Sequence, residues 1–185
     1  MTICESNSLT VLTTSLEADV FETAFGWFGL LGRDGHLTRI SIGDANPDDA
    51  LEHLLTVDEV TKSDIEVTDW FPALREKLIA YTEGEAVDFT DVELSWPRPL
   101  TEFRKRVLDA TRRIPRGRTA TYQEIATQAG SSGAARAVGT AMSSNRFPIV
   151  IPCHRVVGSG GGLGGFTSPQ GTDLKQQLLD MEASK

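Results

Sequence analysis

The sequence predicts two units, an acidic α/β half followed by a mainly helical half that contains a helix-turn-helix. Residues 1–100 hold 20 acidic and 6 basic side chains, a balance of −14, whereas residues 101–185 hold 6 acidic and 12 basic side chains, a balance of +6. Pro97 and Pro99 interrupt the chain where the charge changes, because closely spaced prolines disfavour helix and central strand. Beyond them, apolar residues recur at helical spacing. We therefore expect domains at residues 1–94 and 95–185.

The bulk composition is typical of a globular protein that folds in water. Of the 185 residues, 39% are hydrophobic and 24% are charged, and no apolar run approaches the length of a membrane span. The two cysteines, Cys4 and Cys153, are too few and too far apart for a disulfide framework, which favours a cytoplasmic protein. Three scattered histidines give no metal-ligand cluster, so no metal and no cofactor is expected.

The first half alternates strand and helix patterns. Three segments are predicted as strands and two as helices, namely 9–16, 25–31 and 36–42, then 47–55 and 70–81. The dipeptide Asp34-Gly35 predicts a hairpin turn between the second and third strands. Asp69 is the expected cap of the second helix and Gly84 its expected end. The sequence of this half shows no catalytic constellation.

The second half opens with an amphipathic helix over residues 101–114, capped by Thr101. Its predicted buried face holds Phe103, Val107, Ala110 and Ile114. Its opposite face and the residues just after it are basic, as expected for contact with a polyanion. Phosphate contacts are expected from one or more of four arginines, Arg104, Arg106, Arg112 or Arg116.

Residues 121–144 have the pattern of a helix-turn-helix. Thr121 and Glu124 have the spacing of a capping box, a turn follows at 129–133, and a second helix is predicted over 134–144. This second helix is slender on its outer face, which suits close approach to a nucleic-acid groove. That face carries Arg136, Thr140 and Ser143 beside Ala135 and Gly139. The alternative is an ordinary helix pair that uses alanine for tight packing.

The stretch 149–157 places Pro152-Cys153-His154-Arg155 inside an apolar run. A thiol is nucleophilic only as thiolate, and a neighbouring base promotes that ionisation. The alternative interpretation is a buried structural cysteine in a core strand. A glycine-rich loop follows at 158–165. A last helix is predicted over 174–181, and Glu182 comes at its end.

Together these motifs resemble the O6-alkylguanine-DNA alkyltransferase family, the methylated-DNA–protein-cysteine methyltransferases. The resemblance extends over about residues 97–182, whereas residues 1–95 match only in length and general α/β pattern. It is carried by Tyr122, the block 134–139, Asn145, the block 151–156, and Leu178-Leu179 followed by Glu182. It implies an RNase H-like sheet with helices in the first domain and a winged helix-turn-helix in the second.

The resemblance also implies roles for individual residues. Cys153 is implied to accept the alkyl group, with His154 as a base acting through a water and Glu182 orienting that histidine. Asn145 is implied to be a hinge between the second helix of the pair and the active-site segment. The implied DNA contacts are Tyr122, Thr121, Arg136, Ala135, Gly139 and Ser143, with Arg136 filling the gap left by an extruded base. The implied base pocket is formed by Pro148, Val156, Phe166 and Thr167.

The implied function is repair of O6-alkylguanine in double-stranded DNA, with O4-alkylthymine as a further candidate substrate. The protein would be a monomeric, single-turnover methyltransferase that flips the damaged base and keeps the alkyl group. Two alternatives stay open on the residues, a non-catalytic lesion-sensing or regulatory helix-turn-helix DNA-binding protein and a cysteine hydrolase. The chain departs from the family pattern at Arg146, where proline is common, and at Phe166, where some members have tyrosine.

Overall fold

The first half of the chain forms a four-stranded sheet in the computed structural model, which describes residues 16–56 and 65–184. The strands are β1 (Leu16–Thr23), β2 (Gly26–Arg33), β3 (His36–Asp44) and β4 (Ile65–Val67). The order is β3-β2-β1-β4, with the first three strands antiparallel and β4 parallel to β1. The predicted hairpin is confirmed. The strand predicted over 9–16 lies outside the described residues except for Leu16, and β1 was not predicted.

The β2–β3 turn shows how local sequence sets this topology. Asp34 and Gly35 both have positive φ, 52° and 77°. A two-residue turn with both central residues at positive φ matches the right-handed twist of the strands that it joins. Asp tolerates that conformation and Gly adopts it without steric cost, so the dipeptide fixes the register in which His36 faces Arg33.

Two helices pack against this sheet. Helix α1 (Pro47–Leu55) coincides with its prediction, and the Asn46 side chain caps it by accepting from the Asp49 N–H at 2.9 Å. Helix α2 runs over Pro72–Thr82, two residues later than predicted, and Asp69 does not cap it. Proline fixes φ and lacks an N–H, so it favours the first helical position and sets this start. Asp69 instead forms an ion pair with Arg75.

The second half is mainly helical. Its helices are α3 (Glu102–Arg112), α4 (Tyr122–Gln128), α5 (Ala135–Ser143) and α6 (Gly171–Ala183), and its two short parallel strands are β5 (Ala120–Thr121) and β6 (Val156–Val157). The predicted cap Thr101 and the predicted capping box of Thr121 and Glu124 are confirmed. Among the described residues, no helix is long and apolar enough to cross a membrane.

The proline-containing segment between the halves lies against the protein rather than spanning open space. The Ser95 N–H donates to the Leu37 carbonyl at 2.9 Å, and the Trp96 ring packs edge-on against Phe147 with centroids 4.8 Å apart. One buried apolar cluster includes residues of both halves, such as Leu78 and Leu178. The two halves therefore share a core.

Two arginines expected to meet a polyanion instead hold the halves together. The Arg112 guanidinium donates to the carbonyls of Phe89 and Val92 at 2.7 and 2.9 Å, and Arg116 donates to the Gly84 carbonyl at 3.0 Å. Loop carbonyls need donors when they are partly buried, and a guanidinium can satisfy several at once. This use of Arg112 and Arg116 corrects the expectation that their side chains are available to a ligand.

A glycine-to-alanine change on β2 tests the packing of the first half. A Cβ at Gly32 would lie 2.7 Å from two atoms of the Trp70 ring, whereas a Cβ at Gly133 would meet nothing within 4 Å. We expect Gly32→Ala to lower the free energy of unfolding by about 1–3 kcal/mol through overpacking. Gly133→Ala is the matched control and should change stability little. Urea unfolding of both variants checks this, and equal stabilities would contradict it.

Candidate active site

Cys153 lies at the start of a 3₁₀ turn, Cys153–Arg155, that follows the buried segment 147–152. Its side chain is buried and its N–H donates to the Ile151 carbonyl at 2.7 Å. Burial raises the pKa of the Cys153 thiol, while Asn145, Lys175 and nearby backbone N–H groups act in the opposite direction. The resting residue is therefore a thiol rather than a thiolate, and its reaction requires a base.

Asn145 joins helix α5 to the segment that carries the thiol. Its side-chain amide donates to the Ile151 carbonyl at 2.9 Å, and its carbonyl oxygen accepts from the Phe147 N–H at 3.1 Å. Between these two anchors Ile149 has a φ of 71°, a left-handed conformation that is strained for a β-branched residue. Such strain persists only where the surroundings enforce it, so the Asn145 bonds help to impose the turn before Cys153.

His154 is fully buried, and its Nε2 atom lies 3.1 Å from Oε1 of Glu182. Burial lowers the pKa of His154, and the nearby Glu182 only partly offsets this effect. An ionised carboxylate can only accept, so the neutral imidazole must carry its hydrogen on Nε2. The other nitrogen, Nδ1, is then unprotonated and has no partner among the described protein groups.

Glu182 lies within the last turn of α6 and is 2% exposed, so it is not a frayed terminal residue. Besides His154, its carboxylate accepts from the Gly117 N–H at 3.1 Å, from Arg155 Nη2 at 2.7 Å, and from the Tyr81 hydroxyl at 2.5 Å. Burial alone would raise the pKa of Glu182, but the hydrogen bonds from His154 and Arg155 outweigh it. They hold that pKa far below its usual range, and the group remains an anion.

Three residues of this site were not predicted as functional: Tyr81, Arg155 and Lys175. The Lys175 side chain is fully buried and its Nζ donates to the carbonyls of Val156 at 2.7 Å and Leu163 at 2.5 Å. Burial lowers the pKa of Lys175 and the neighbouring Cys153 acts against this. One feature of the sequence indicated that Lys175 is buried. It directly follows Leu174 and lies three positions before Leu178, which places it near the inward face of the last helix. Tyr81 was only the last residue of the helix predicted over 70–81.

A cleft of about 680 Å³ opens above Cys153. One wall comes from α4 and α5 and the other from the glycine-rich loop and the residues after it. Eight predicted site residues line this cleft: Tyr122, Ala135, Arg136, Gly139, Ser143, Cys153, Phe166 and Thr167. Sequence reasoning did not predict the other six: Gln123, Met142, Gly158, Ser159, Gly164 and Gly165.

Three predicted contact residues do not line the cleft. Pro148 and Val156 are buried in the core, and the Val156 carbonyl is occupied by Lys175. Thr121 uses its hydroxyl and its N–H in the capping box with Glu124. These groups are therefore committed to the fold and do not form part of the cleft lining.

The two walls of the cleft approach each other closely. Gly164 has a φ of 69°, and a Cβ there would lie 2.6 Å from the Tyr122 hydroxyl. On the opposite side, the Thr167 hydroxyl donates to the Ser143 carbonyl at 3.0 Å. Arg136 is exposed at the rim, and its guanidinium has no recorded partner in the described part of the chain. Its side chain is therefore available to a ligand.

A cysteine beside a buried histidine–carboxylate pair, at the floor of a cleft walled by a helix pair, is the arrangement of a protein with a candidate cysteine nucleophile. Residues 102–184 match the family model described as "6-O-methylguanine DNA methyltransferase, DNA binding domain". The methylated-DNA–protein-cysteine methyltransferase of Mycolicibacterium paratuberculosis is 38% identical over 167 residues, covering 90% of this chain and 92% of that protein. The protein of the same name from Methanosarcina acetivorans is 44% identical over 126 residues, covering 68% and 78%.

Solved structures agree with these sequence matches. The crystal structure of Mycobacterium tuberculosis OGT in complex with DNA superposes with a TM-score of 0.72 and 32% identity, covering 91% of this chain and 93% of that one. The O6-methylguanine-DNA methyltransferase of Pyrococcus kodakaraensis gives a TM-score of 0.69 with 27% identity, covering 89% and 98%. The chain belongs to the methylated-DNA–protein-cysteine methyltransferase family, and the resemblance seen in the sequence is confirmed.

Replacement of the buried lysine tests the electrostatics of the thiol. Lys175→Met removes a cation that lowers the pKa of Cys153, so that pKa should rise further. At neutral pH the thiolate fraction, and with it alkylation by iodoacetamide, should fall roughly tenfold for each pKa unit of the rise. Gln177→Met, on the exposed side of the same helix, is the control. A pH profile of alkylation identical to that of the unmodified protein would contradict the prediction.

Proposed function

We propose that the protein repairs O6-alkylguanine in double-stranded DNA by moving the alkyl group irreversibly to Cys153. The observation that carries this proposal is the position of Cys153, buried at the floor of a cleft large enough to admit a base and adjacent to the His154–Glu182 pair. Membership of the methylated-DNA–protein-cysteine methyltransferase family supports the same reaction. The proposal extends to O4-alkylthymine, which carries its alkyl group on a comparable exocyclic oxygen.

The proton path follows from the histidine tautomer. His154 Nδ1, the unprotonated nitrogen, takes the thiol proton through a bridging water, and Glu182 stabilises the imidazolium that forms. The sulfur then attacks the alkyl carbon as the bond from that carbon to O6 breaks. The electron pair of the broken bond leaves with guanine, where it is stabilised by an N–H donor from the backbone near Thr167 or Ser168 and then by protonation.

The product is a thioether, which His154 and Glu182 have no means of hydrolysing because the sulfur is a poor leaving group. Each molecule therefore accepts one alkyl group and is spent. Stoichiometric action distinguishes this proposal from a cysteine hydrolase, which would release its acyl or alkyl group and turn over.

Access to Cys153 requires base flipping. A guanine inside the duplex cannot present its O6-alkyl group in line with a buried sulfur, so the nucleotide must rotate into the cleft. We propose that Arg136 fills the gap left in the stack and that Tyr122 crowds the phosphate beside the target. Slender residues on α5, Ala135 and Gly139, would let the helix approach the groove, with Ser143 and the region of Thr121 beside the backbone.

We further propose that residues 95–185 act as a winged helix-turn-helix DNA-binding domain and that residues 1–94 form an RNase H-like domain. Helices α4 and α5, joined by a short glycine-containing turn, support the first assignment. The four-stranded sheet with an antiparallel hairpin and a parallel edge strand supports the second.

Duplex DNA with radiolabelled O6-methylguanine tests the reaction. We expect one label per protein molecule to become protein-bound, and Cys153→Ser should bind DNA normally but take up no label. Serine has a far higher pKa than cysteine, so the same base cannot activate it. Label that stays on the DNA indicates a lesion-binding protein without chemistry, and label released into solution over many cycles indicates a hydrolase.

Arg136→Ala separates base extrusion from general attraction to phosphate. If Arg136 stabilises only the extruded state, each ~1.4 kcal/mol lost lowers the population of that state about tenfold. Single-turnover transfer from duplex DNA should therefore fall by at least this factor, whereas reaction with free O6-benzylguanine should hardly change. Arg118→Ala removes an exposed charge that does not line the cleft and serves as the control. Equal losses on both substrates would exclude the extrusion role.

A further inference from the structure

Tyr81 belongs to the first half of the chain, yet it reaches the catalytic pair of the second half. It lies in the last turn of α2 and is 1% exposed. Its ring packs edge-on against Phe89, with centroids 5.8 Å apart, and the Arg116 guanidinium lies 5.3 Å from the ring centroid. These contacts fix the ring, so the position of its hydroxyl is determined by the packing of both halves.

The hydroxyl makes two polar contacts within the site. It lies 2.5 Å from Glu182 Oε1 and 3.2 Å from His154 Nε2, and those two atoms are 3.1 Å apart. The three groups therefore form a closed triangle. A phenol is the one member that can donate to the carboxylate and still accept from the imidazole, since its oxygen has lone pairs to spare.

Each of these contacts has a defined donor and acceptor. Glu182 is an anion and only accepts, and burial together with the adjacent Glu182 raises the pKa of Tyr81, which keeps its proton. The Tyr81 O–H therefore donates to Oε1. The Nε2–H of His154 is then shared between two acceptors, Oε1 and the Tyr81 oxygen, and both contacts favour the tautomer that leaves Nδ1 unprotonated.

Arg155 shows why such a contact is needed. Its Nη2 lies 2.7 Å from Glu182 Oε1, shorter than the 3.1 Å between that oxygen and His154. A charged guanidinium is the stronger donor, so it competes with the imidazole for this oxygen. The Tyr81 hydroxyl donates to the same oxygen from α2 and also contacts Nε2, so it ties the carboxylate and the imidazole to one point of the fold. It also reduces the basicity of the carboxylate, which keeps a transferred proton on His154.

We propose that Tyr81 is a positioning residue for alkyl transfer, which holds Glu182 against His154 Nε2 and so maintains Nδ1 as the base for Cys153. This inference rests on the proposed transfer to Cys153. It also gives the first half of the chain a part in the chemistry, because α2 supplies the third member of the hydrogen-bonded triangle.

Tyr81→Phe removes the hydroxyl and leaves the ring contacts with Phe89 and Arg116. We expect single-turnover transfer from duplex DNA and from free O6-benzylguanine to slow roughly tenfold near pH 7, with unchanged affinity for DNA. The deficit should shrink as the pH rises, because the thiolate then forms without help from His154. A role in stability alone would leave a deficit that is independent of pH.

Three further variants extend the test. Leu78→Val, a fully buried position one turn earlier in α2, should reduce stability without changing the transfer rate. In a Glu182→Gln background, Tyr81→Phe should have little additional effect, because the hydroxyl acts through that carboxylate. Tyr81→Met also lacks the hydroxyl and should reproduce the pH-dependent deficit, and it replaces Tyr81→Phe if that variant does not fold.

The outcomes distinguish this inference from the proposed function. If the unmodified protein takes up no label, the proposed transfer fails. If it takes up label but Tyr81→Phe reacts at the same rate from pH 6 to pH 9, the transfer stands and the role of Tyr81 is overturned. A rate deficit that does not vary with pH would also overturn the role of Tyr81. So would a double variant, Tyr81→Phe/Glu182→Gln, whose fold-reduction in transfer rate equals the product of the two single reductions.

Discussion

The buried carboxylate of Glu182 is the interaction on which the arrangement of the site depends. An ion taken out of water costs several kcal/mol unless charged and polar partners replace its hydration. Here the partners come from separated parts of the chain: Tyr81 from α2, Gly117 from the loop after α3, and His154 with Arg155 from the 3₁₀ turn. One anion accepts hydrogen bonds from all these segments. The packing of the segments around Glu182 therefore also fixes the orientation of His154.

The burial of Cys153 also determines the charge state of a side chain in this site. A thiol with a raised pKa is protected from unwanted alkylation and oxidation, since only the thiolate is a strong nucleophile. His154 has a pKa lowered by its own burial, so it is neutral and able to accept a proton, as the proposed function requires. Lys175, buried beside the thiol with two backbone carbonyls as its partners, favours the sulfur anion as it forms. Burial thus disfavours the Cys153 thiolate in the resting protein. The same low-dielectric surroundings strengthen the attraction between Lys175 and a thiolate once it forms.

The departure at Arg146 shows how the first half also supports the segment that follows Asn145. The Arg146 carbonyl accepts from the Ile40 N–H at 2.8 Å, and its Nε donates to the Thr38 carbonyl at 2.9 Å. Strand β3 is an edge strand, and its unpaired backbone groups are partly satisfied in this way. Where a proline would stiffen the chain by fixing φ, this protein holds the residue after Asn145 by attaching it to the sheet.

The sequence by itself determined the features that depend on neighbouring residues. Asp34-Gly35 determined a hairpin turn, Thr121 with Glu124 determined a helix start, and Pro152-Cys153-His154-Arg155 indicated a reactive thiol, because each signal acts within a few positions. Asp69 failed as a predicted cap although its spacing was plausible, since Pro72 sets the start of the helix and Arg75 binds the carboxylate.

Only the tertiary structure decided which side chains meet. Tyr81 and Glu182 are 101 positions apart, and an apolar helix face gives no indication that its tyrosine hydroxyl reaches a carboxylate in another helix. In the sequence, Arg112 and Arg116 look like phosphate ligands. In the structure their guanidinium groups, each with five N–H donors, bind loop carbonyls that only the fold brings near them. Val156 and Pro148 lie within a few positions of Cys153 in the sequence, but both are buried and neither lines the cleft. Local propensity acts over a few residues, whereas desolvation and hydrogen-bond satisfaction depend on the whole packed chain.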